Sequence, residues 1–521
     1  MTPGQLSHRQ ILVIYTALML GMLLAALDQT IVSNALPTIV GELGGLNKLS
    51  WVVTAYLLSS TISLPIYGKL GDLYGRKRLF QAAIVIFLLG SGLCGAAQNL
   101  IELILFRGLQ GLGAGGLMVG ALSIIGDIVP PRERGRYQGY MGGVFAIASV
   151  VGPLIGGFFV DNLSWRWCFY VNLPVGVVAL IVVGAVLQGS TERKSHRIDY
   201  EGAAVLAVGA GLITLALTWG GTQYPWGSWQ VVGSFIVGAV AVAGFIVIER
   251  YAVEPLIPLR LFRNGVFNVS SAMAFLVGMA MFGALVYLPL FFQAVHGVSA
   301  TTSGLWLLPL MGGLLVASTG SGRTISKIGR YRAFPIAGTL CITLGMWLLS
   351  RIGVSTAYLF IAAGMVVLGI GLGLVMPVIV LAVQNSADPR DLGTATSAST
   401  FFRSIGGVFG VAIFGSIFVN RLGHWLPRDL PKSAHLTTKQ ADALLHSTPE
   451  KLKALPAAIH TGLIDAFSSS LHTVFVCAVP FGAAAFLVSL LLREVPLRAA
   501  HGESLAAAVA DGGGEAAVPG P

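Results

Sequence analysis

The fold is decided by one short stretch, GKLGDLYGRKR, which runs from Gly68 to Arg78 between two long apolar segments. Glycine has no Cβ and tolerates positive φ, so Gly68, Gly71 and Gly75 predict a tight chain reversal here. Four cations share the stretch and favour the side of a membrane that retains positive charge, namely Lys69, Arg76, Lys77 and Arg78. The sequence therefore predicts a cytoplasmic loop between two membrane spans.

One acid, Asp72, lies in the middle of these cations. A positive anchor with turn glycines would explain the charges, but it would not explain the order Gly-x-x-x-Asp-x-x-Gly-Arg. We therefore interpret Gly68, Asp72, Gly75 and Arg76 as a cytoplasmic gate in a transporter.

The composition is that of a protein built in a bilayer. Of the 521 residues, 55% are hydrophobic and only 10% are charged, whereas soluble proteins carry about 25% charged residues. The mean hydropathy is +0.80. Apolar runs of roughly 18 or more residues predict about fourteen spans, so we expect an all-α polytopic membrane protein.

The net charge of +10 would suit a nucleic-acid-binding protein, but the positions of Lys and Arg argue against one. They gather in alternate loops and at the termini, while the short loops between carry only Lys48, Arg166 and Arg351. Positively charged loops stay in the cytoplasm. We therefore predict a multi-pass protein of the plasma or inner cell membrane, with both termini cytoplasmic and no nucleic-acid partner.

The gate stretch has a second copy later in the chain. Its residues Gly68, Lys69, Gly75, Arg76 and Arg78 recur with the same spacing as Gly322, Arg323, Gly329, Arg330 and Arg332. Ser326 stands in the second copy where the first has Asp72. The repeat predicts two related six-helix halves, and its distance along the chain leaves room for two inserted helices.

These observations divide the chain into four parts. We predict an N-terminal six-helix bundle over residues 1–190 and two inserted transmembrane helices with their linkers over 191–260. A C-terminal six-helix bundle follows over 261–498, with a long extracytoplasmic loop over 421–467. The last part, 499–521, is rich in Ala and Gly, so we expect a disordered cytoplasmic tail.

Enzymatic and metal chemistry find no support in the sequence. The four cysteines lie in separate apolar runs without paired spacing, at Cys94, Cys168, Cys341 and Cys477. No nucleophile–base pair or metal-ligand spacing is evident. We therefore predict a protein that is not an enzyme and has neither a metal nor a cofactor.

Asp28 is the one acid that falls well inside an apolar run. Burial raises the free energy of a charged carboxylate, so such a group binds a proton readily and releases it when its cavity is hydrated. We therefore take Asp28 as the first candidate for proton coupling or for attracting a cationic substrate. A purely structural role, hydrogen-bonding a neighbouring helix with Thr30 or Asn34, stays open.

Arg107 lies in a second apolar run, within ILFRGLQGLGAGG. An arginine without partners would be costly there, so we expect Gln110, backbone carbonyls or Asp28 to pair with it. A structural arginine that reaches the membrane interface along its own stem is the alternative. Arg403, in TFFRSIGGVFG, allows the same two interpretations.

The stretch SVVGPLIGG, from Ser149 to Gly157, places proline and glycines inside the fifth span. Pro153 removes a helical hydrogen bond, while Gly152, Gly156 and Gly157 permit close contact with a facing helix. These residues predict a kinked seam, which is either a hinge or a packing notch.

Together these motifs resemble the major facilitator superfamily, and specifically its fourteen-span drug:proton antiporters. The gate stretch indicates the superfamily, and SVVGPLIGG resembles the antiporter motif of exporters. The first-span LDQTIVSNALP and the later WRWCFYVNLPVG, from Trp165 to Gly176, resemble the fourteen-span branch. The resemblance covers nearly the whole membrane region.

The resemblance implies two six-helix bundles that rock around a central cavity. It further implies that Asp72 and Arg76 latch the cytoplasmic ends, that Arg107 takes part in proton transfer with the acid Asp28, and that Gly152 and Pro153 shape the hinge. We accordingly expect a monomeric proton-coupled exporter of lipophilic, cationic or neutral toxic compounds. The alternatives are an exporter dedicated to one antibiotic or metabolite and, disfavoured by SVVGPLIGG, a proton-coupled importer.

Overall fold

The computed structural model describes residues 8–43, 49–187, 199–221, 223–429 and 456–497. Every named element of secondary structure in these ranges is a helix, which confirms the all-α prediction. The predicted tail over 499–521 lies outside the described residues.

Seven helices form the N-terminal half. They are α1 His8–Leu43, α2 Leu49–Tyr74, α3 Arg76–Ala96, α4 Leu100–Ile128, α5 Pro131–Asn162, α6 Trp167–Tyr170 and α7 Asn172–Val186. The short α6 leads directly into α7, so the two make one crossing of the membrane. Asn99 caps α4 by accepting the N–H of Glu102 at 2.9 Å, and this bond sets where that helix begins.

Two further helices follow, and then the C-terminal half. The first two are α8 Tyr200–Trp219 and α9 Trp229–Tyr251. The half that follows consists of α10 Gly265–Val295, α11 Ala300–Trp306, α12 Leu308–Ile328, α13 Ala333–Leu349, α14 Tyr358–Ser386, α15 Leu392–Asp429 and α16 Ala457–Leu490. Between α9 and α10 a linker over 252–264 contains one 3₁₀ turn, Leu259–Arg263.

The number of membrane-crossing helices agrees with the predicted fourteen. In the described ranges, twelve helical segments are long and apolar enough to span a bilayer. Two more, α2 and α13, pack lengthwise against α4 and α14 respectively. At about 1.5 Å per residue, even the 17-residue α13 covers about 25 Å.

Each half has its own buried apolar clusters, represented by Phe87 and Leu117 in the first and by Phe291 and Phe414 in the second. The halves meet where α5 lies along α12 and where α2 lies along α15. The helices α8 and α9 pack on each other, and α8 also contacts both α2 and α15. The predicted domain boundaries stay a prediction, because the ends of helices do not show where an independent structural unit begins or ends.

Two equivalent glycines make the chain reversals that the repeat predicts. Gly75 joins α2 to α3 with a φ of 90°, and Gly329 joins α12 to α13 with a φ of 74°. The expectation that Gly68 and Gly71 also belong to the reversal is wrong, because both lie within α2. A Cβ on Gly68 would fall 2.0 Å from Ser397 Oγ, so this glycine allows α15 to approach α2.

The predicted outer loop over 421–467 is too long at both ends. Helix α15 continues to Asp429 and α16 begins at Ala457, because apolar side chains at both ends, such as Leu426 and Leu463, are buried in the C-terminal half. The remainder of that loop, 430–455, lies outside the described residues.

Candidate functional site

The two charges predicted inside the membrane form an ion pair. Asp28 lies on α1 and Arg107 on α4, and their exposed fractions are 0% and 1%. A guanidinium nitrogen of Arg107 donates to Asp28 Oδ2. Of the partners expected for Arg107, the structure shows all three kinds: Asp28, Gln110 and a backbone carbonyl, that of Val52.

Two buried amides complete this group of side chains. Gln110 Nε2 donates to Asp28 Oδ1 at 2.8 Å, and Asn172 Nδ2, from α7, donates to the same oxygen at 3.1 Å. Gln110 Oε1 in turn accepts from Arg107 Nη1 at 2.8 Å. We call Asp28, Arg107, Gln110 and Asn172 the buried charge cluster. It joins α1, α4 and α7 through polar contacts in an apolar bundle.

The surroundings hold both ends of the cluster in place. Asn172 also donates to Ser91 Oγ at 3.0 Å, and that hydroxyl donates to a backbone carbonyl. The Arg107 guanidinium lies over the ring of Tyr56, with Cζ 4.1 Å from the ring centre. An aromatic face stabilises a desolvated cation by about 2 kcal/mol, so Tyr56 supports the charge that Asp28 neutralises.

The glycines around Arg107 let neighbouring helices approach the cluster. A Cβ on Gly111 would fall 2.4 Å from the backbone oxygen of Tyr56, on α2. A Cβ on Gly90, on α3, would fall 2.6 Å from the backbone of Gln110. Side chains at these positions would push α2 and α3 away from α4, so the glycines are needed for the geometry of the buried charges.

The two charges of the pair depend on each other. Both are buried, and each is stabilised mainly by the other, because removing one partner leaves an isolated charge in a medium of low dielectric.

A second cluster links the two halves beside the α2–α3 reversal. Asp72 pairs with Arg76 at 2.8 Å, and it accepts the backbone N–H groups of Gly393 at 3.1 Å and Thr394 at 2.8 Å. The Thr394 hydroxyl also donates to it, at 2.9 Å. Arg76 pairs in addition with Asp127, at the end of α4. We call these five residues the gate cluster.

The sequence predicted only part of the gate cluster. Asp72 and Arg76 lie together as expected. Asp127 was recognisable as an acid at the edge of an apolar run. Gly393 and Thr394 contribute through backbone N–H groups at the start of α15, and these donors have no sequence signature because every non-proline residue has one.

The predicted seam in α5 contacts helices of both halves. A Cβ on Gly152 would fall 2.0 Å from Thr30 Oγ1, so this glycine brings α1 against α5. On another side of α5, Pro153 lies 3.3 Å from where a Cβ of Gly304 would be, on α11. Gly156 is buried and Gly157 is partly exposed. The helix continues through Pro153, and the hinge role of these four residues stays a prediction.

Arg403 lies apart from both clusters, on α15 beside α14. Its Nη1 is 3.6 Å from the Met376 sulfur, and within the described ranges it has no ion-pair partner. The same ranges hold no group of three or more His, Cys, Asp or Glu side chains that could bind a metal.

The fold and these clusters define a polytopic helical transporter with two related halves. The sequence profile described as Major Facilitator Superfamily matches residues 18–411. The chain belongs to the major facilitator superfamily.

Known proteins resemble this chain over most of its length. An uncharacterised MFS-type transporter of Mycobacterium tuberculosis is 44% identical over 94% of this chain and 71% of its own. The multidrug transporter protein MdtP of Bacillus subtilis is 38% identical over 95% of each. The structure of the proton:xylose symporter XylE matches 95% of this chain and 99% of its own, with a TM-score of 0.64 and 15% identity.

These comparisons agree with the resemblance to drug:proton antiporters. The similarity to XylE concerns the fold alone, because the identity is low. Membership of this family identifies the chain as a transporter rather than an enzyme, and therefore as a multi-pass membrane protein that acts on small molecules.

Proposed function

We propose that this protein exports lipophilic, cationic or neutral toxic compounds in exchange for protons, by alternating access. The observation that carries the proposal is the buried charge cluster, in which Asp28 is fully buried and paired with Arg107. Charges in this position are costly in a membrane, and proton coupling accounts for their presence.

The coupling step follows from the chemistry of the ion pair. A proton that reaches Asp28 adds to the carboxylate and yields a neutral acid, which no longer holds Arg107. The freed guanidinium keeps the Gln110 carbonyl and the backbone oxygen of Val52 as acceptors, at 2.8 and 3.4 Å. Loss of the proton restores the pair. If one state of the cluster binds the proton and the other binds the substrate, binding of either one displaces the other.

The gate cluster supports the alternating step. The hydrogen bonds that Asp72 accepts from the backbone N–H groups of Gly393 and Thr394 join α2 to α15, and in this proposal they close the path at one end. The basic residues beside it suggest that this end is cytoplasmic, with both termini on the same side of the cell membrane. The α5 seam around Gly152 and Pro153 then supplies the moving contact, in a protein that works as a monomer.

The experiment is efflux of ethidium, a lipophilic cation, from energised cells that express the protein. We expect the wild type to lower cellular ethidium, and both an uncoupler and Asp28→Asn to reduce the efflux rate about tenfold or more. Asn preserves the size of the side chain but cannot exchange a proton at neutral pH.

The matched control is Glu133→Gln, which neutralises an exposed acid on α5 and should leave efflux unchanged. Expression of each variant is compared by a fluorescent tag. Efflux that persists both in Asp28→Asn and with uncoupler would remove Asp28 from the mechanism. Efflux that is lost in Asp28→Asn but persists in the wild type with uncoupler would indicate another energy source.

A further inference from the structure

Arg403 is a charge within the candidate membrane span Pro389–Leu426, and the buried charge cluster gives it no role. It lies about 14 Å along α15 from Thr394 of the gate cluster. In the described part of the chain its one polar contact is the thioether sulfur of Met376, which is a weak acceptor. Arginine stays protonated in proteins, so this guanidinium carries a full charge, and no described carboxylate pairs with it.

The guanidinium lies on a side of α14 that faces the N-terminal half. Val380, one turn after Met376, packs within the apolar cluster of the N-terminal half. One turn further, Gln384 donates to the backbone oxygen of Leu122, on α4. Arg403 is therefore at the boundary between the halves, where a path through the molecule has to run.

A small cavity adjoins the arginine. Its walls are apolar where α10 and α14 contribute, for example at Val277 and Val380, and polar where Ser399 of α15 lines it. With a volume of about 10 Å³ it holds about one water molecule. Separation of the halves would uncover the same walls as a larger surface that is apolar around one fixed cation.

We infer that Arg403 is a recognition site for the carboxylate of a lipophilic substrate. The inference rests on the proposed function, because Arg403 is only partly exposed here and the site opens fully when the halves part, and it extends the substrates to organic anions and zwitterions. A planar guanidinium fork matches a carboxylate with two parallel hydrogen bonds. The apolar walls would hold the remainder of the molecule.

The test compares two dyes that differ in one group. Rhodamine B carries a free carboxylate, and its ethyl ester has the same ring system without it. We measure binding of each dye to purified protein in nanodiscs by fluorescence polarisation, without any ion gradient. Arg403→Gln should weaken binding of the acid about tenfold or more and that of the ester less than about twofold, as expected for loss of a charged hydrogen bond.

Two further variants make the result specific. Arg403→Lys keeps the charge but loses the planar fork of the guanidinium. We therefore expect it to bind rhodamine B more weakly than the wild type but more tightly than Arg403→Gln. Arg351→Gln removes an exposed arginine after α13 and should change neither dye. Unchanged ester binding also shows that a variant has folded.

Equal weakening of both dyes by Arg403→Gln would show a structural arginine and overturn the inference. It would also be overturned by unchanged binding of the acid, or by a wild type that does not bind the acid. Because no gradient is present, failure of proton coupling leaves this measurement unaffected.

Discussion

Asp28 and Arg107 stabilise the N-terminal half only as a pair. Both are fully desolvated, and the attraction between them offsets a desolvation penalty of several kcal/mol for each ion. Loss of either partner alone is therefore much more harmful than loss of both.

Arg107→Met should destabilise the protein by about 3–5 kcal/mol, because it leaves the Asp28 charge buried without its cation. The double variant Asp28→Asn with Arg107→Met should recover part of this loss. The measurement is thermal unfolding in detergent, followed by size-exclusion chromatography. A double variant that unfolds at a lower temperature than Arg107→Met would contradict the account of the pair.

For individual residues, the sequence predicted the two buried charges but not the Asn172 amide from α7. Asp28 and Arg107 were recognisable because charges inside apolar runs are rare. Asn172 lies within the motif WRWCFYVNLPVG, but its contacts with Asp28 and Ser91 depend on how α7 packs against α1 and α3. Spacing along one helix does not contain that information.

At the scale of helices, α2 and α15 approach each other closely across the boundary between the halves. Gly68→Ala would place a methyl group 2.0 Å from Ser397 Oγ and 2.9 Å from the backbone oxygen of Gly393. We expect it to separate the two helices, weaken the bonds of Asp72 and reduce efflux about tenfold or more. Gly320→Ala, on α12 with no neighbour within 4 Å, is the matched control.

The accompanying measurement is amide hydrogen exchange at Gly393 and Thr394, whose backbone N–H groups donate to Asp72 of α2. Gly68→Ala should make this exchange faster, whereas Gly320→Ala should not. Exchange and efflux that both stay at the wild-type level would show that the helices do not need this glycine.

The linker over 252–264 ties the same ends together. Glu254 pairs with Lys69 of α2 at 2.7 Å, and Arg260 pairs with Asp391, just before α15, at 2.8 Å. The linker after the inserted helices thus contacts both halves beside the gate cluster. Lys69 is nearly buried, so its ion pair is the stronger of the two.

Lys69→Met should therefore loosen the linker more than Arg260→Met does. We expect amide hydrogen exchange over 252–264 to become about fivefold faster in Lys69→Met, which corresponds to roughly 1 kcal/mol. Exchange rates that are the same in both variants and in the wild type would show that these pairs do not hold the linker.

The repeat predicted the helical architecture well but its local details less well. Gly75 and Gly329 make the equivalent reversals that their spacing predicted. Gly68 and Gly71 were assigned to the turn, although they lie in α2, because a glycine that permits positive φ and one that permits helix contact look the same in a sequence.

At the scale of the whole molecule, the positive loops make a prediction about orientation. Alkaline phosphatase, which is active only outside the cytoplasm, should be active when fused after Val354, between α13 and α14. It should be inactive when fused after Leu497, beyond α16. The opposite pattern would reverse the proposed direction of the gate.

The number of helices and the halves followed from hydropathy and the repeat, whereas the contacts between the halves did not. Apolar runs have a fixed minimum length in a bilayer, and twelve of the fourteen helices meet it by length and composition. Which faces of α5 and α12 meet depends on small residues such as Gly135 and Gly322, whose backbones touch, and one sequence does not pair them.

The central claim is that a proton on Asp28 is exchanged for substrate. Proteoliposomes loaded with ethidium and a trapped pH-sensitive dye are diluted into buffer without ethidium, so that ethidium leaves down its gradient. The account predicts that the interior becomes acidic as protons enter in exchange, and that Asp28→Asn abolishes this change. Ethidium efflux through the wild-type protein with no change of internal pH would contradict it.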